Sequence, residues 1–184
     1  IQNNILSQSI KGLSCNFVSN GELAFNQVRK GNLNPAESYR YFDLSSIKYA
    51  SKRIEKIDQQ GKQIRAILKT DNLNNSNYNN FNLGGSYYID ILSTFSDELQ
   101  ANYVNVNFSF FADAPFENSN VYVTGGFCNF MCNQQNSLIY NYDVQQYEGS
   151  YLLKQGLYNY TYYLIDDDTE QIIPLSNNQS FYEA

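Results

Sequence analysis

Apolar and polar residues alternate along 103–111. Val104, Val106, Phe108 and Phe110 fall on one side, and Asn105, Asn107 and Ser109 on the other. A period of two is that of a strand with one face toward a core. The stretch "VYVTGGF" and the runs within 138–165 repeat it, with turn residues between them. After Gly156 the even positions read Tyr158, Tyr160, Tyr162 and Leu164; the odd ones read Leu157, Asn159, Thr161 and Tyr163. That predicts a strand covered on one face, whose tyrosines bury their rings and keep their hydroxyls near water or a backbone partner. Lys154-Gln155-Gly156 is a turn signal, so 147–168 is predicted to be a β-hairpin. Five or so short strands within about 65 residues predict an antiparallel sandwich.

The first half is less regular. Short apolar runs flank Asn20-Gly21, a hairpin signal. "KGNLNPAESYRYFDL" reads as a loop feeding the aromatic run Tyr39, Tyr41 and Phe42. Over 45–69 the pattern is open: Ile47, Ala50, Ile54 and Ile57 fit helical spacing, while "GKQIRAILK" fits a strand. Residues 71–85, rich in Asn and Gly, read as a long loop, and "SYYIDILSTF" returns to strand character.

Composition supports β structure. The chain of 184 residues has 17 Tyr, 12 Phe, no Trp and no His, and Tyr and Phe favour pleated surfaces. The lack of His removes the commonest general base and metal ligand, which counts against an enzyme. The net charge of −6 is unevenly divided. Residues 1–96 hold 11 bases and 7 acids, a net of +4; residues 97–184 hold Lys154 alone against 11 acids, a net of −10. This predicts two modules in different surroundings and no nucleic acid partner for the acidic half. No run of apolar residues is long enough to span a membrane as a helix. The opening "IQNNILSQSIKG" reads as entry in mid-domain.

Candidate chemistry is sparse. Cys15, Cys128 and Cys132 are an odd count. Cys128 and Cys132, four apart without a second pair, read as free thiols rather than a metal site, with a local disulfide open in an oxidising compartment. Asp166, Asp167, Asp168 and Glu170 read as a solvated hairpin tip rather than a Ca2+ loop, since no spaced carboxylate pattern accompanies them. The N-x-Ser/Thr triplets at Asn74, Asn107, Asn159 and Asn178 are chance products of an Asn-rich chain. No phosphate, dinucleotide or nucleophile-elbow motif is present. No catalytic, cofactor or metal residue is assigned, and no small-molecule substrate is expected.

Two resemblances add to this. "VYVTGGFCNF" followed by "YNYDVQQYEGSYLLKQGLYNYTYYLID" resembles a glycogen-binding or early-set immunoglobulin-like module. Gly126, Phe127 and Asn129 match its turn, and Phe130 stands where that family commonly has Trp; its sugar-stacking Trp residues are absent. More of the chain resembles the plug protein of the bacterial type IX secretion system. "NPAESYRYFDLSSIKYASKRIEKI", "GGSYYIDI", "QANYVNVNFSFF", "VYVTGGFCNF", "YEGSYLLKQGLYNYTYYLID" and "SFYE" come in that family's order, and "RYFDLSSIKY" and "YEGSYLLKQGLYNY" are the most specific pieces.

The resemblance implies an all-β protein of two antiparallel immunoglobulin-like β-sandwich modules. These are 1–96, N-terminally truncated, and 97–184, an early-set sandwich lacking its closing strand. It implies strands over 45–69. It also implies a periplasmic plug or gate subunit at the outer membrane, non-enzymatic and without cofactor, whose partner is a large outer-membrane β-barrel translocon. The expected contacts are exposed aromatics and the loops 71–85 and 112–120, with no residue singled out. The alternative is a carbohydrate-binding module of a secreted or surface protein, for which Tyr122, Tyr140, Tyr142 and Tyr147 are the candidates.

Overall fold

A computed structural model describes residues 17–19, 22–24, 39–61, 63–73, 83–92 and 101–175. Two short strands, β1 (Phe17–Ser19) and β2 (Glu22–Ala24), pair antiparallel on either side of Asn20-Gly21, as that signal predicts. The others are β3 (Arg40–Asp43), β4 (Ile54–Gln60), β5 (Gln63–Leu68), β6 (Tyr87–Ile89), β7 (Tyr103–Phe111), β8 (Ser119–Thr124), β9 (Ser137–Asn141), β10 (Gln146–Lys154), β11 (Gly156–Asp166) and β12 (Ile172–Pro174). These ten form one mixed sheet that nearly closes on itself. Its order is β12-β11-β8-β9-β10-β7-β5-β4, and β3 and β6 also pair with β11. All pairings are antiparallel except β5 with β7. The open question over 45–69 resolves as two strands, β4 and β5, joined at Gly61, whose φ of 60° suits glycine. β7 spans the alternating run as predicted, with Val104, Val106, Phe108 and Phe110 buried.

Two expectations need correction. Residues 147–168 are not a hairpin: β10 pairs with β7 and β9, whereas β11 pairs with β8, β3, β6 and β12. Gln155 is a corner at which the chain passes from between β7 and β9 to the edge of β8. Its backbone N–H donates to Asn102 O at 3.0 Å and its carbonyl accepts from Asp90 N at 3.3 Å; its side chain donates to Ser45 O at 2.9 Å and accepts from Asn102 N at 3.1 Å. Nor is β11 covered on one face only. Tyr158, Tyr160 and Tyr162 are buried on the even side, and Asn159, Thr161 and Tyr163 on the odd side. A strand that collects neighbours along both edges and both faces becomes the interior of the molecule.

The core joins both halves of the chain. Phe42, Leu44, Ile54, Ile64, Ala66 and Leu68 pack in one cluster with Val104, Phe108, Phe110, Val121, Tyr158, Tyr160 and Tyr162. Phe42 stacks on Tyr158 at 5.2 Å and meets Phe108 edge-on at 5.9 Å, which welds β3, β7 and β11. The boundary expected at 96/97 falls among residues outside those described.

Candidate functional site

The centre of the sheet holds charge. Arg40 is on β3, two residues before Phe42 and on the same face, so its side chain enters the core. Asp71, fully buried, follows β5 and is fixed by its backbone: its N–H donates to Ser109 O at 2.9 Å, and its carbonyl accepts from Phe111 N at 2.7 Å. Tyr160 and Tyr162, from β11, donate to Asp71 Oδ2 at 2.7 and 3.1 Å. Arg53 donates to Asp71 Oδ1. Arg40 Nε lies 3.3 Å from the same oxygen, an ion-pair distance without hydrogen-bond alignment. Arg40 Nη2 donates to Asn72 O and Leu175 O, both at 3.1 Å, and its guanidinium sits 5.1 Å over the Tyr162 ring and 5.9 Å over Phe110.

Asp71 thus ties β3, β11 and Arg53 through its carboxylate and β7 through its backbone, and Arg40 adds the segment at Leu175. Two guanidinium groups share that carboxylate, and the aromatic faces offset part of the surplus positive charge. Burial first, and the Asp71 charge next, raise the hydroxyl pKa of Tyr160 and Tyr162 above the usual 10.0. Burial opposes the charge on Arg53, but Tyr160 and Asp71 outweigh it and hold the guanidinium protonated. The cluster is a neutral-hydroxyl, charged-carboxylate clasp with its lone pairs spoken for, suited to rigidity rather than proton transfer.

One end of the sheet carries the surface features. Three of the four tyrosines picked for sugar binding converge there. Tyr140 meets Tyr142 and Tyr147 edge-on, at 5.0 Å each, and Tyr147 stacks on Phe116 at 5.6 Å. Their roles differ. Tyr147 is buried and its hydroxyl accepts from Phe116 N at 2.7 Å; Tyr140 donates to Ala112 O at 2.8 Å; only Tyr142, 74% exposed, is free to be a contact. Tyr140 and Tyr142 line a cleft of about 570 Å3 with Ile139, Asn141, Asp143 and Glu148. A groove of about 410 Å3 is lined by Leu73, Phe110, Phe111, Ala112 and Phe116. It joins the start of the 71–85 loop to the 112–120 loop. Tyr122 is elsewhere, on β8 opposite Tyr163.

The remaining candidates divide. Gly126–Cys128 form a 3-10 turn, with Asn129 and Phe130 both in the left-handed region. Cys128 is buried, and the half-buried Phe127 packs against Tyr151 at 5.2 Å and Phe108 and Tyr158 at 6.2 Å. Cys128 and Cys132 are free thiols; burial, then Cys128, pushes the Cys132 thiol up to about 11. Asp166 accepts from Thr169 N, Thr169 Oγ1 and Asp168 N at 2.7–3.0 Å, and Asp167, Asp168 and Glu170 are exposed, as a solvated tip requires. Among the described residues no group of three or more Cys, Asp or Glu side chains could hold a metal ion. Asn159 is buried in β11 and Asn107 is half-buried on β7. Cys15, Asn74, Asn178 and residues 74–82 of the long loop lie outside the described residues.

Sequence reasoning missed the Arg40–Asp71–Arg53 cluster. The usable signal was Arg40, a charged residue in register with Phe42 on an inward-facing strand position.

No family model matches the chain, and no curated protein matches it. Among solved structures it is similar to a hypothetical protein from Parabacteroides merdae ATCC 43184. The TM-score is 0.68 and the identity 27%, over 80% of this chain and 37% of that one. The chain therefore spans little more than a third of that protein's length. Among the described residues no helix is long and apolar enough to cross a membrane.

Proposed function

We propose that this chain is a non-catalytic β-sandwich binding module, and that its task is the one its resemblance implies: a periplasmic plug or gate subunit that closes the pore of a type IX secretion outer-membrane barrel when no cargo is engaged. One observation carries most of the weight. "RYFDLSSIKY" and "YEGSYLLKQGLYNY", the pieces most specific to the resemblance, lie against each other as β3 on β11 and share the Asp71 clasp. In this reading 97–184 is the early-set immunoglobulin-like unit, and 1–96 is the truncated first module, whose β3, β5 and β6 pair with it.

The physical logic is that of a stopper. A wide aqueous barrel leaks unless a rigid body fills its mouth, and release requires a face that is not greasy once free. A buried clasp supplies the rigidity, and the end bearing Tyr142, Asn141 and Asp143 offers mixed aromatic and polar contacts. The partner would be protein alone, without nucleic acid, small-molecule substrate or a span of its own. Purification of the tagged full-length protein from native membranes tests this. A very large outer-membrane barrel should co-purify, and its absence from the eluate would sink the reading.

The convergence of Tyr140, Tyr142 and Tyr147 favours a second reading, carbohydrate binding. Calorimetric titration with neutral glycans decides it: heat that disappears in Tyr142→Ala supports sugar binding, and no heat removes it.

A further inference from the structure

Most open strand edges among the described residues are guarded. β4 has a register shift between Ile54 and Lys56 and carries a Lys56–Asp58 ion pair at 2.8 Å. β6 and β12 are three residues long, and β12 ends in Pro174. Bulges, charges, brevity and proline are how proteins keep edges from recruiting foreign strands.

The second half of β10 has one of these alone, the charge of Lys154 at its last residue. β7 lines one side of β10 for all nine residues, but β9 lines the other only from Gln146 to Glu148. The strand ends give the direction of each backbone group. Gln155 N–H donates to Asn102 O at 3.0 Å and Gln145 O accepts from Ala112 N at 3.3 Å, both on the β7 side. Odd-numbered residues therefore face β7 and even-numbered ones face away. Beyond Glu148, no strand among the described residues is in register with Ser150, Leu152 or Lys154 on that side, although Ser137 O of β9 comes within 3.1 Å of where a Cβ on Gly149 would sit; Lys154 O accepts the Tyr158 hydroxyl at 2.6 Å. Ser150 is exposed, and Leu152 is 61% exposed. No charge or proline interrupts 149–153, and its register with β7 is unbroken.

We propose that Ser150–Lys154 is a strand-addition site, which takes an extended segment of another protein antiparallel to β10 and in line with β9. An edge of alternating donors and acceptors is complementary to a strand, and β9 already sets the antiparallel sense on that side. Side chains set the pattern of the partner. An apolar residue packs beside the exposed Leu152. An acidic residue nearer the partner's N-terminus meets Lys154, the one base of 97–184, held 5.6 Å over the Tyr103 ring. The site stands independently of the pore-closing reading.

Two measurements on the whole chain test it. In amide hydrogen exchange of the free protein, Ser150, Leu152 and Lys154 exchange at least about tenfold faster than Tyr151 and Leu153, whose N–H groups face β7. Equal protection means that the edge is already covered, and overturns the site. Selection from a displayed library of linear peptides of about ten residues then yields alternating apolar–polar sequences that slow exchange at Ser150 and Leu152. Leu152→Pro removes an edge-facing N–H and no bond to β7, so it lowers peptide affinity by about tenfold or more at unchanged Tm. Should proline disturb the fold, Ser150→Lys with Leu152→Lys guards the edge by charge and brings the same loss. A library that yields no binder, peptides that leave those amides fast, or binding that the guarded variants do not weaken contradicts the proposal. Dimerisation of the free chain that slows the same amides gives the edge to a second copy instead, and overturns it as well.

Discussion

Asp71 is where single atoms matter most. Asp71→Asn keeps the shape but leaves Arg40 and Arg53 buried without a counter-charge. It is expected to cost ~3–5 kcal/mol, read as a fall in the urea midpoint at unchanged slope. A loss under about 1 kcal/mol, the worth of an exposed pair, would mean that water reaches the cluster. The tyrosines make a second prediction. Burial raises the hydroxyl pKa of Tyr158, Tyr160 and Tyr162 above 10.0, and burial followed by Asp43 pushes Tyr41 up to about 12. A folded pKa above the unfolded one stabilises fully below the unfolded value and is lost as pH rises through the folded one. Stability should therefore hold to about pH 10 and fall beyond it, with tyrosinate absorbance rising together with unfolding. Ordinary tyrosine titration in the intact fold would contradict this. That the tyrosines are packing was legible from their spacing. Their partner was not, because a lone Asp after "ILKT" looks like any loop carboxylate until the chain closes over it.

At the level of elements, the sequence pattern located strands but not their partners. β7 and β9 to β11 fall on the alternating runs, yet a period of two is silent on which edge meets which. Lys154-Gln155-Gly156 looked like a hairpin turn and is a corner; the difference lies in Gln155, whose amide bridges Ser45 and Asn102, far away in sequence. Glycine explains why the corner closes. A Cβ on Gly156 would sit 2.3 Å from Tyr88 O and 3.0 Å from Ile89 Cα, so Gly156→Ala should push β6 off β11 at ~1–3 kcal/mol, seen as lost exchange protection in β6. Phe127→Ala removes the wedge between Tyr151, Phe108 and Tyr158 and should cost about 3 kcal/mol in thermal unfolding.

For the whole molecule, the charge split between the halves is real but does not separate the described strands. The basic segment 48–69, which contains β4 and β5, and the acidic turn at 167–170 sit at opposite ends of one strand order. Since 40–68 and 101–175 share a core, their unfolding should be one transition by circular dichroism and by tyrosine fluorescence alike. Two resolved transitions would show independent modules. A body that melts as a unit is what a pore stopper needs, and the most direct test is electrical. Purified protein is added to the periplasmic side of the type IX barrel reconstituted in a planar bilayer. The account predicts that the open-pore conductance collapses on addition and returns on washout. Conductance unchanged at saturating protein, with the barrel shown to be open, would contradict it.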